Sequence, residues 1–159
     1  MPDSTQNGFY PPVAFTFRVK VEGIMGINEG DFQEVSGLNV KFGTEEVVEG
    51  GQNRFVHRLP TTPKYENLVL KRGMLKGSAL INWVKTSLDI FKFTPKLVEV
   101  SLLDGGNNPL VTWSFSNAYP VSLRISDFKA QENAIVVETL ELSFDYFTKT
   151  TLANANRNS

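Results

Sequence analysis

Hydrophobic and polar residues alternate without a break from Phe15 to Glu22. Phe15, Phe17, Val19 and Val21 fall on one parity, and Arg18, Lys20 and Glu22 on the other. A period of two predicts a strand with one buried face. Gly23, Gly26 and Gly30 then mark turns. Asp31 to Val35 predicts a second short strand, stopped by Ser36-Gly37. From Leu38 to Val48 a third strand places Leu38, Val40, Phe42 and Thr44 on one side, although Glu45-Glu46-Val47-Val48-Glu49 breaks the pattern. Gly50-Gly51 is a turn signal, and Arg54 to Leu59 predicts the returning strand of a hairpin ended by Pro60 and Pro63. This hairpin is long, charged and only half apolar. A monomer has little reason to keep such an arm unless it packs on something.

Asn67 to Lys71 predicts another strand, after which the period changes. Ala79, Leu80, Trp83, Val84, Leu88 and Phe91 follow helical spacing, with Ser78 as N-cap and Gly77 and Pro95 as brackets. A single apolar stripe fits a helix packed on a sheet. Beyond it, Leu97 to Leu103 predicts a strand and Asp104 to Asn108 a hairpin loop. A return strand follows from Pro109 to Phe115, then a separate strand from Val121 to Ile125. The last strand is predicted to be long, from Ala134 to Phe147. Val136, Leu140, Leu142, Phe144 and Tyr146 share a parity that Glu138 interrupts. Many strands and one helix predict a mainly β fold: two packed antiparallel sheets forming a sandwich or barrel with the helix laid across it. Residues 1–10 and 151–159 are polar and predict a flexible arm and tail around a single domain over 11–150.

The chain has 159 residues, no Cys, one His and a formal charge of −1. A compact monomer of this mass exposes roughly 8,000 Å² folded and about 26,000 Å² unfolded, enough burial for a core without staples. Without Cys, a disulfide framework and a thiolate zinc site are excluded. The near-zero charge argues against a general nucleic-acid binder. Met1 to Gly8 has neither the basic nor the apolar region of a secretory signal, so synthesis in the cytoplasm without a leader is expected. No apolar run approaches the roughly 20 residues that span a bilayer, so direct membrane insertion is not expected.

Catalytic chemistry finds little support. His57 is the only imidazole, and no nucleophile elbow accompanies it. Glu45, Glu46 and Glu49 could supply carboxylates to a metal, but a charged, solvated or intersubunit hairpin explains them better. Gly23-Ile24-Met25-Gly26 has a GxxG spacing but reads as a turn. Lys71, Arg72 and Lys76 precede the helix, where an anion could sit, but the GK[ST] ending of a phosphate loop is missing. Trp83 and Trp113 lie on apolar parities and read as core. The chain is therefore expected not to be an enzyme, with no catalytic residue, cofactor or metal.

Seven segments occur in the order found in the T4-type phage tail tube protein family. They are Phe32 to Leu38; Glu49-Gly50-Gly51; Asn67 to Gly73; the Trp83 helix; Val100 to Asp104; Trp113 to Pro120; and Ile135 to Ser143. From about Tyr10 to Thr148 the chain resembles that family, which includes tubes of contractile injection systems. Tyr10 to Phe15 and the run Gly50 to Pro60 look more like the tube-initiator paralogue, which joins the spike-hub to the tube. The resemblance implies a homohexameric ring, stacked coaxially into a hollow tube inside a contractile sheath. Six sheets would join edge to edge around the lumen. It implies as partners the adjacent rings, the spike-hub, the baseplate, the sheath and effector cargo in the bore. It implies residence in a phage tail or phage-like particle, and no nucleic-acid specificity. Glu45, Glu46, Glu49, Asn53, Arg54, His57 and Arg58 are the expected ring interface. Arg72 and Lys76 are the expected outward contacts with sheath or baseplate. Two other readings compete: a secreted hexameric tube protein of the type VI kind, and a monomeric ligand-binding β-sandwich.

Overall fold

The computed structural model describes residues 16–24, 31–51, 54–74, 77–127 and 135–151. In chain order the elements are β1 (Thr16–Val21), β2 (Asp31–Phe32), β3 (Glu34–Ser36), β4 (Val40–Val47), β5 (His57–Tyr65), β6 (Leu68–Gly73), α1 (Ala79–Asp89), β7 (Lys96–Leu103), β8 (Pro109–Ile125), β9 (Val137–Ser143) and β10 (Tyr146–Thr151). The expectations for residues 1–10, Asn53, Lys76 and residues 152–159 lie outside the described residues.

The larger sheet runs β2-β1-β7-β8-β9-β6-β3, with β10 also on β8. Phe32 lies opposite Phe17 on β1, whereas Val35 lies opposite Leu70 on β6. Between them Gln33 donates its backbone N–H to the Lys71 carbonyl at 3.0 Å. One short segment therefore links both ends of the sheet, which curls around the core. β8 makes a second corner by changing partners along its length. Its first half pairs with both β7 and β10, and its second half with β9.

The core follows strand parity. Val19 and Val21 of β1, Leu68 and Leu70 of β6, Val98 and Val100 of β7, and Leu140 and Leu142 of β9 point inward. Each such side chain contributes about 1.5–3 kcal/mol when removed from water. Helix α1 adds Leu80 and Val84. Its first turn is held where expected: Ser78 Oγ accepts the Ile81 N–H at 3.2 Å, satisfying one of the four donors a helix start leaves open. Trp83 and Trp113 pack half-buried against the same core.

The structure corrects several sequence expectations. The strands expected at Pro109–Phe115 and Val121–Ile125 are one strand of 17 residues. Pro120 does not divide it, because a register shift against β9 falls between Pro120 and Ser122, and proline is tolerated at such irregularities. The long final strand is instead two. At its break the Asp145 N–H donates to the Ser116 carbonyl at 3.0 Å. Asn117, at φ 53°, donates from Nδ2 to Asp145 Oδ2 at 2.7 Å. Nor do Pro60 and Pro63 end β5, which continues through both to Tyr65. They flank a bulge between Phe42 and Thr44. Gly43 at that bulge faces Thr61 so closely that a Cβ would collide with its Oγ1. Finally, the apolar stripe of the helix fails at its end: Ser87 is buried while Leu88 and Phe91 are exposed.

Candidate assembly surface

β4 and β5 form a separate two-stranded sheet. Almost every residue of the pair is exposed. At its root Tyr65 lies opposite Val40. The Tyr65 ring stands edge-on to Phe144 and Phe147, with centroids 5.7 and 5.3 Å away. Phe115 stacks behind these at 4.8 Å from Phe144. This aromatic group fixes the arm on the corner between β9 and β10, and beyond it the ribbon has no core.

The expected interface residues fall on this arm. Register places Glu46 opposite Arg58 and Val47 opposite His57. Arg58 Nε lies 3.5 Å from Glu46 Oε1, and His57 Nε2 lies 3.7 Å from Glu49 Oε2. Lys41 and Glu66 approach to 3.6 Å nearer the root. All six side chains are at least 45% exposed, and an exposed pair contributes about 0–1 kcal/mol. Glu45 and Arg54 are exposed and form no salt bridge among the described residues. The Phe55 ring meets His57 edge-on at 5.0 Å. Val40, Phe42, Val47, Val48, Phe55, Val56 and Leu59 are all exposed, Val48 at 78%. Charge pairs therefore alternate with uncovered apolar side chains along the ribbon.

Arg72 is placed differently from its expectation as an outward contact. It is 2% exposed. Its side chain shares the inward parity of Leu68 and Leu70, and Glu138 shares that of Leu140 and Leu142. The two lie opposite each other on β6 and β9, with Arg72 Nε 3.3 Å from Glu138 Oε2. Arg72 also donates from Nη2 to Ser78 Oγ at 2.7 Å, and its guanidinium sits 4.7 Å from the centre of the Phe32 ring. One cation thus joins two strands, the helix cap and the segment linking the sheet ends. Each strand carried one charge on its inward parity, and that was the available sequence signal.

A second uncovered apolar surface was missed by sequence reasoning. Ile90 is the C-cap of α1, and Phe91 follows at φ 50°. That position normally takes glycine, and the left-handed conformation costs an L-residue roughly 1–2 kcal/mol. Phe91 is nevertheless 83% exposed, beside exposed Leu88 and Ile90. Its ring meets Phe93 at 5.2 Å, which meets Tyr119 at 5.8 Å.

Strand edges are also open. Among the described residues, β10 pairs only with β8, and β8 beyond Tyr119 pairs only with β9. No helix among the described residues is long and apolar enough to cross a membrane.

No curated protein matches the chain. Solved structures do. A chain of the anti-feeding prophage (AFP) baseplate is 28% identical, with TM-score 0.74, covering 89% of this chain and 96% of that one. A chain of the sheath–tube complex of an extracellular contractile injection system, PVC, is also 28% identical, with TM-score 0.73 and coverage of 91% and 95%. Hcp1 from Salmonella typhimurium is 15% identical, with TM-score 0.53 and coverage of 87% of each chain, a likeness of fold alone. Residues 13–148 match the family described as T4-like virus tail tube protein gp19. The chain belongs to that tail tube protein family.

Proposed function

We propose that the chain is a structural, non-catalytic subunit of the inner tube of a contractile injection particle. Six copies form a ring around a bore through which cargo passes, and sheath contraction drives the stacked rings forward. The observation that carries this reading is the exposed arm of β4 and β5, which lacks a core of its own on a chain of the tail tube family. The open edges of β8 and β10 support it, because an unpaired edge is a hazard that a closed ring removes. A similar chain comes from a baseplate described as 6-fold symmetrised, and another from a sheath–tube complex. These relatives support adjacent rings, baseplate and sheath as partners.

Within the particle we assign the chain to the tube initiator next to the spike-hub. That finer reading rests on Tyr10 to Phe15 and Gly50 to Pro60. A particle reconstruction tests it directly: one ring of this chain at the spike supports the initiator, and many rings along the shaft support the main tube subunit. Glu45, Glu46, Glu49, Asn53, Arg54, His57 and Arg58 are proposed as interface residues, and Lys76 as an outward contact. Deleting residues 45–58 should leave a folded β-rich monomer that no longer stacks. Normal tubes from that deletion would refute the arm's role.

A further inference from the structure

Every residue of β4 and β5 is exposed except Gly43, Thr61 and Tyr65. Tyr65 is the root, packed on Phe144 and Phe147. Gly43 and Thr61 lie at the bulge and cover each other. Phe42 stands opposite Pro63, and Thr44 opposite Pro60. Gly43 alone therefore spans both Thr61 and Thr62, and the extra residue belongs to β5. Gly43 does not have a positive φ. Glycine is needed there for space, because Thr61 Oγ1 occupies the place of a Cβ. Pro60 and Pro63 fix φ on either side of the two threonines.

A bulge bends its strand and increases the local twist at the cost of ladder pairing. The core gains nothing from this one. An exposed two-stranded ribbon is marginal by itself, and the part beyond the bulge packs on no core. Resting on the reading of the arm as an interface, we propose that the bulge of Gly43, Thr61 and Thr62 is a stiff elbow that aims the arm. The aromatic root fixes where the ribbon starts. The elbow sets the direction in which residues 44–47 and 57–60 leave the body. A preset direction removes the ordering cost that a limp ribbon would meet on docking. The three elbow residues are thus positioning residues for assembly, set apart from the charged residues at the tip.

Deleting Thr62 from the full chain tests this, because it removes the bend and keeps the tip. With one residue facing one, Phe42 can still meet Pro63, Thr44 Pro60 and Glu46 Arg58. The thermal midpoint should stay within a few degrees of wild type, since the bulge lies outside the core. A collapse would place the bulge in the stability of the fold and overturn the proposal. Sedimentation velocity should show the assembly midpoint moved to roughly tenfold higher concentration or beyond. Unchanged assembly overturns the proposal. Direction is read separately by pulsed electron spin resonance. Spin labels go on Val48→Cys and Asp89→Cys, two exposed positions in a chain with no other cysteine. In dilute monomer they should give one narrow distance, and deletion of Thr62 should shift it. A broad spread before the deletion, or the same distance after it, overturns the elbow. Deleting residues 45–58 separates this inference from the reading beneath it. Normal assembly by that variant, or a wild-type chain that never assembles, overturns the interface reading and the elbow with it. Assembly lost without residues 45–58 but kept without Thr62 overturns the elbow alone.

Discussion

Arg72 Nε and Glu138 Oε2 stand 3.3 Å apart with side-chain exposures of 2% and 5%. They face each other across β6 and β9, two residue pairs on from Leu70 and Leu140. Removing one partner leaves a buried charge without compensation, so Arg72→Ala should cost about 3–5 kcal/mol in urea unfolding. Replacing both with apolar residues, Arg72→Met with Glu138→Leu, should recover most of that loss. A double variant as unstable as Arg72→Ala would show that the pair is not the seat of the effect.

Ser78 has two roles at one atom. Its Oγ accepts from Ile81 N–H and from Arg72 Nη2. Ser78→Ala should cost about 1–2 kcal/mol, and amide exchange should quicken in the first turn of α1 before the rest of the chain.

Two glycines separate space from conformation. Gly37 has φ 90°, and a Cβ there would collide with the Asn67 carbonyl. Gly51 has φ 105° with open space around it. Gly51→Ala should cost only the backbone strain, roughly 1 kcal/mol. Gly37→Ala should cost clearly more in the same denaturation assay, because Asn67 and Leu68 must move.

The arm's ion pairs should matter little to the isolated chain. Glu46→Gln breaks the 3.5 Å contact with Arg58. Its unfolding free energy should change by less than about 1 kcal/mol. If the arm is an interface, ring assembly by the same variant should weaken more than folding does, and the difference should shrink at high salt.

Asp104 gives the loop between β7 and β8 a pH dependence. Its carboxyl is held below the usual aspartate value chiefly by the Asn108 N–H, with Gly106 N–H and the Asn108 side chain adding to it against some desolvation. Both backbone bonds reach Oδ1, at 2.9 and 2.8 Å. A carboxyl lowered in the folded state stabilises that state above its unfolded pKa, and the contribution is lost as pH falls through the folded value. Asp104→Asn should therefore flatten the acid side of the stability profile while leaving the neutral fold unchanged by circular dichroism.

Local chemistry determined much of this protein. Alternation located β1, and a period near 3.6 with Ser78 located α1, because strand and helix periods are properties of neighbouring residues. The hairpin carrying Glu46, Glu49, His57 and Arg58 was legible from its turn and its missing core. Tertiary structure decided what depends on residues far apart in the chain. The interruption at Glu138 became a buried ion pair only when Arg72, 66 positions away, lay opposite it. The segment around Gln33 joined both sheet ends only because β1 and β6 came to flank it. Pro120 stayed within a strand because pairing with β9 slipped there. Phe91 matched the helical stripe in sequence, yet a left-handed turn after Ile90 carried it out of the core. Periodicity reports which face a residue prefers; only the folded backbone fixes where an element ends and what that face meets.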